Sequence, residues 1–124
     1  MIEDELQRLL DTLPAADRYD VFVEECGDQD VRLRFSPPSG RDWSAAMLLG
    51  VVDTALRAAA ASGSSIDSSL RHLNVTVLRP AHVADVIALS RAIRRDGDMV
   101  HAEAWLFSHA AVEPIVHATG SLRR

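Results

Sequence analysis

The chain has 124 residues, 48% of them hydrophobic and 25% charged, the balance of one globular domain. A formal charge of −5, with thirteen scattered arginines and no lysine, argues against a phosphate-tracking nucleic-acid binder. The single Cys26 leaves no internal disulfide framework and no cysteine-based zinc site.

Met1 leads straight into the acidic IEDE, so no signal or transit leader is expected and a cytoplasmic protein is the expectation. Ile2, Leu6, Leu9, Leu10 and Leu13 recur at helical spacing up to Pro14, which predicts a short amphipathic helix. Residues 19–40 then read as two strands about a turn at Gly27 and Asp28. In the second strand Val31, Leu33 and Phe35 alternate with Arg32 and Arg34, the period of a half-buried strand. The SPPSG that follows (36–40) is a loop, because its prolines have no N–H to give a sheet ladder.

The stretch AAMLLGVVDTALRAAAA (45–61) predicts the one long helix, with Asp42 or Ser44 as N-cap and SGSS (62–65) as its stop. Asp53 and Arg57 interrupt its apolar run short of membrane-spanning length. Beyond it the pattern turns to strands over 68–78, 83–94, 99–109 and 114–122. RPAH, the hairpin signal DGD (96–98) and AAVE separate them. A helix apolar nearly all round needs cover on most sides, and an antiparallel sheet curled around it supplies that. Such a sheet has open edges, and pairing edges between two copies closes them. The expectation is an α+β domain working as a dimer.

VVDTA (51–55) and LNVTVLRPA (73–81), followed by DGDMVHAEAWL and closed by HATGSL (117–122), resemble the hotdog-fold thioesterases of the phenylacetic-acid-degradation type. The resemblance spans roughly 19–124 and leaves 1–18 as an N-terminal helix and lead-in. It implies a hotdog fold, an antiparallel β-sheet wrapped around one long central helix, assembled as a homodimer or a dimer of dimers. It also implies an acyl-CoA thioesterase, with Asp53 as catalytic carboxylate at the dimer interface. The substrate is an acyl-CoA or acyl-carrier thioester, with no metal and no cofactor beyond the coenzyme A of the substrate. Neither nucleic acid nor membrane is an expected partner.

The family carries His-Gly-Gly nine residues before its carboxylate, and here those positions hold Ser44, Ala45 and Ala46; a shift of one residue puts Trp43 at the histidine position. The Thr or Ser that many relatives have four residues before the strand Asn, here Asn74, is replaced by Leu70, with Ser69 beside it. Asn74 itself reads as a scaffold residue.

Asp53 shares a helix face with Ala46, Gly50 and Arg57. The small Ala46 and Gly50 leave room for a ligand, and the carboxylate then acts as general base or nucleophile. Equally, Asp53 and Arg57 form an acid-first structural pair that neutralises a carboxylate in apolar surroundings. In DWSAAM the N–H groups of Ala45 and Ala46 suit the oxyanion of a reacting thioester, shaped by Ser44 or Trp43. The other account is capping by Ser44 and core packing by Trp43. Ser68 and Ser69 either face the site from the partner subunit or are loop hydroxyls. Arg79 either nears the phosphates of coenzyme A or is solvated. His72, His82, His101, His109 and His117 show no metal-ligand spacing, and Cys26 has no basic neighbour in sequence to activate it. A second function class stays open: a non-catalytic binder of acyl thioesters or small ligands on the same fold. A hydratase needs an Asp and a His in one short motif, and no His lies near Asp53.

Overall fold

The computed structural model describes residues 2–13, 19–28, 30–37, 41–61, 68–109 and 113–124. The elements run α1 (Glu3–Leu10), β1 (Asp20–Cys26), β2 (Asp30–Ser36), α2 (Ala45–Ala60), β3 (Ser69–Val77), β4 (Val86–Asp96), β5 (Met99–Ser108) and β6 (Pro114–Arg123). The strands form one antiparallel sheet in the order β1-β2-β4-β5-β6-β3, with α2 against β2, β4, β5 and β6. This is the hotdog arrangement, a sheet wrapped around one long helix. Pro14, SGSS and most of SPPSG and AAVE lie outside the described residues.

α2 comes close to the sheet because both surfaces are built from small side chains. Ala55, Ala58 and Ala59 are buried on the helix, and Ala88, Ala102, Ala104 and Ala118 are buried on the strands. Larger residues such as Leu33, Phe35, Leu56, Leu106 and Val116 fill the remaining core. The β4–β5 hairpin turns in two residues, since Asp96 pairs with Met99. Gly97 takes the left-handed conformation there, at φ 60°, which a glycine adopts without steric cost. β4 starts and ends later than expected, and a register irregularity between Ala92 and Arg94 accompanies its long run.

α1 is shorter than its apolar spacing predicts. Thr12 ends it, its hydroxyl donating to the carbonyl of Leu9 at 2.6 Å. Its inner side buries Leu6 and Leu10, and Gln7 reaches the outer edge of β1. Gln7 Nε2 donates to the carbonyl of Val21 at 2.8 Å, and the N–H of Val23 donates to Gln7 Oε1 at 2.7 Å. At the opposite end of the sheet β3 pairs only with β6, and no described residue pairs with its outer edge.

The face of the sheet away from α2 carries an ionic cluster. Glu103 accepts from Arg91 Nε at 2.7 Å, and His117 Nε2 lies 3.3 Å from its other oxygen. His117 also stacks on Trp105, with ring centroids 4.1 Å apart. Burial pushes the Glu103 carboxyl up, but the hydrogen bonds and charges of Arg91 and His117 outweigh it and leave it below its ordinary value. A carboxyl depressed in the folded state stabilises above its unfolded pKa of about 4.3, and that contribution fades as pH falls through the folded value. Glu103→Gln is therefore expected to lower the denaturant midpoint at neutral pH, with the gap closing in acid below about pH 4. Midpoints measured across that range check it.

Candidate active site

α2 begins at Ser44, whose backbone is extended and whose hydroxyl accepts from the N–H of Met47 at 3.2 Å. The Ser44 carbonyl takes the N–H of Leu48 at 3.0 Å. The N–H groups of Ala45 and Ala46 have no acceptor among the described residues, and both residues are exposed. A helix start with two such donors and the positive end of the helix dipole suits a developing oxyanion.

Trp43 points the other way. Its side chain is buried, its indole N–H donates to the carbonyl of Ala84 at 2.8 Å, and its ring lies 5.7 Å from that of Tyr19. Trp43 thus ties the helix start to the loop before β4 and leaves the exposed first turn to Ser44, Ala45 and Ala46.

The less covered stripe of α2 carries the exposed Ala46 and the half-buried Gly50, Asp53 and Arg57, flanked by the fully buried Val51, Val52, Ala55 and Leu56. Leu49, 45% exposed, is the large apolar residue on this side. The expectation that Gly50 leaves room for a ligand needs correcting. The position its Cβ would take lies 2.8 Å from the Tyr19 hydroxyl, so the glycine accommodates a tyrosine of its own chain. Tyr19 is held from behind by Phe35, in edge-to-face contact at 5.5 Å, and by Trp43. Adding a methyl gains about 1 kcal/mol of helix propensity and costs about 1–3 kcal/mol of overpacking against a braced ring. Gly50→Ala is expected to destabilise by about 1 kcal/mol net, and Tyr19→Phe in the same chain to restore most of it. Paired denaturation curves check this.

Asp53 is not buried as its sequence neighbours imply: its side chain is 38% exposed, against 22% for Arg57. Arg57 Nε lies 3.0 Å from both carboxylate oxygens, and its Nη1 donates to the carbonyl of Ser68. The pair therefore exists, and it ties α2 to the lead-in of β3. One guanidinium nitrogen does not exhaust a carboxylate with about four lone-pair sites, and the exposed side of Asp53 is open to water or substrate. Ser68 lies beside Asp53 of its own chain through this arginine, and its hydroxyl is buried without a partner among the described residues. Ser69 is exposed at the start of β3. Asn74 stands on β3 opposite Thr119, well along the strand from that start.

Arg79 is bound to Glu113 at 2.9 Å and to the carbonyl of Pro114 at 2.8 Å. Burial raises the Cys26 thiol above its ordinary pKa, which keeps it protonated and a poor nucleophile. No group of three metal-ligating residues occurs among the described residues, and no described helix is long and apolar enough to cross a membrane. Two neighbours of α2 could not be found from the sequence, Tyr19 and the carbonyl of Ser68. Both meet α2 only through long-range packing and leave no local signal.

No family model matches the chain, and no curated protein matches it by sequence. Its fold, however, recurs among solved structures. Zebra fish thioesterase superfamily member 2 superposes with a TM-score of 0.82 at 12% identity, covering 99% of this chain and 98% of its own. A phenylacetic acid degradation-related protein of Ralstonia eutropha JMP134 gives 0.78 at 16% identity, covering 97% and 99%. A thioesterase of Haemophilus influenzae gives 0.79 at 11%, covering 99% and 90%. The chain has the fold of these thioesterase-superfamily structures along nearly its whole length.

Proposed function

We propose that the chain hydrolyses an acyl thioester at a site shared between two copies of itself, with Asp53 as the reacting carboxylate. The supporting observation is the less covered stripe of α2, which carries a half-exposed carboxylate and, at its start, two N–H groups without acceptors among the described residues. Asp53 takes a proton from water, whose oxygen attacks the thioester carbonyl carbon. The carbonyl oxygen becomes an oxyanion held by the N–H groups of Ala45 and Ala46, with Ser44 fixing the turn. Collapse breaks the C–S bond, and the thiolate recovers the proton from Asp53. In the nucleophilic variant, Asp53 attacks first to give a mixed anhydride, which water then opens.

Helix geometry favours the shared site. Asp53 lies eight residues past Ala45, a separation of about 12 Å along the axis. One carbonyl must sit about 3 Å from its oxyanion donors and within reach of a water held by the base. A single α2 does not offer both, so the donors of one copy are to meet the carboxylate of the other. The outer edge of β3, unpaired among the described residues and with Val77 and Leu78 exposed beside it, supports the pairing of two copies there. The reaction uses no metal or redox cofactor, coenzyme A or a carrier entering with the substrate. The chain acts in the cytoplasm as a homodimer or dimer of dimers.

A second reading has its own support in the 3.0 Å contacts of Arg57 to both oxygens of Asp53, which also suit a binder that does not turn its ligand over. Thiol release measured across short, medium, long and aryl acyl-CoAs decides between them. Turnover of any class supports hydrolysis, and saturable binding without release supports the binder.

A further inference from the structure

We propose that a groove on the face of the sheet away from α2 binds a small organic cation, an ammonium or guanidinium seated on Trp105 between Glu25 and Asp30. The groove has a volume of about 520 Å³, within the range of small-ligand sites. Its floor is the cross-strand pair Leu89 and Trp105, 40% and 36% exposed. Beside a leucine, the Trp105 indole, stacked on His117 and still partly exposed, suits a cation with an alkyl stem.

The charges around this floor are unequally committed. Arg91 is held by Glu103 at 2.7 Å and Arg32 by Glu24 at 3.3 Å, so both guanidiniums of the groove are already paired. Glu25 and Asp30 line the same groove and have no ion-pair partner among the described residues.

The backbone brings the extra carboxylate there. β1 slips register between Val23 and Glu25, so Glu25 rather than Glu24 stands opposite Arg32. Two glutamates therefore serve one arginine, and only one is needed to neutralise it. Bulges re-aim side chains in this way and concentrate beside binding sites. The wider field agrees in sign: residues 1–36 carry ten acidic and four basic residues, while the rest of the chain is nearly neutral. An anion would meet two paired arginines and unspent negative charge. A cation meets the reverse.

Agmatine, with a guanidinium and an ammonium on a short alkyl chain, is the probe. It is titrated into the isotopically labelled wild-type protein and followed by amide and indole resonances. Saturable shifts centred on the Trp105 indole, Leu89 and Asp30, with Kd about 1 mM or below, are expected. Glu25→Gln with Asp30→Asn is expected to weaken binding about tenfold, as is Trp105→Leu, while thermal unfolding stays close to wild type. No saturation by about 20 mM overturns the proposal. So does binding that ignores these substitutions, or shifts equally large at Glu3 and Asp4 on α1, which signal diffuse attraction. Tighter binding of a blocked glycyl-arginyl-glycine peptide than of agmatine overturns the small-molecule assignment in favour of a partner's arginine.

Discussion

Asp53→Asn is expected to abolish most turnover while the protein stays folded. Amide and carboxylate have nearly the same shape, and Arg57, 22% exposed and bonded also to the carbonyl of Ser68, is not left stranded in a dry interior. Loss of a general base costs roughly a hundred- to ten-thousandfold in rate. If Asp53 serves only as the partner of Arg57, the pattern inverts. The partly exposed pair would then cost at most about 1 kcal/mol when broken, and hydrolysis per folded molecule would be unchanged. Unfolding curves and acyl-CoA hydrolysis on one preparation separate the two, and undiminished turnover in a folded Asn variant removes Asp53 from the chemistry.

Ala45→Pro is expected to remove one oxyanion donor and little else. Ala45 is the first helical residue, where proline is tolerated because its N–H has no partner within the helix. Ser44 before it is already extended, at φ −79° and ψ 164°, the conformation that a following proline demands. The cap from Ser44 to Met47 survives. Turnover is expected to fall about a hundred- to a thousandfold, as for other single oxyanion donors. Mixing this variant with Asp53→Asn tests the shared site. Each mixed dimer holds one site with both groups intact, so random exchange restores about a quarter of wild-type activity. A site complete within one chain restores none.

The order of elements was legible in the sequence because it is written in local periods. The alternation of Val31, Leu33 and Phe35, the cap at Ser44 and the turn at Gly97 each follow from residues a few positions apart. The environment of Asp53 was not. Its neighbours in sequence are small and apolar, which suggests burial all round, yet the sheet covers one side of α2 and leaves the stripe from Ala46 to Arg57 only partly covered. Gly50 misled for a related reason: a glycine reports that something comes close, not whether it is a ligand or Tyr19. The slip of β1 that brings Glu25 opposite Arg32 depends on strand register, which no single segment encodes.

Gln7 has a consequence for how such chains associate. A sheet with two receptive borders accepts a neighbour on each side, and repetition of one head-to-tail contact grows a fibre without limit. Here Gln7 already occupies part of one border, its amide answering the carbonyl of Val21 and the N–H of Val23. Among the described residues the outer edge of β3 has no partner, and in the proposed two-copy assembly a border that meets its own copy is used up by the meeting. Growth by strand addition at that border is then expected to stop at two. Replacing Gln7 with leucine keeps the helix propensity of α1 but strips that contact, and association beyond two copies, read by sedimentation, is the expected result.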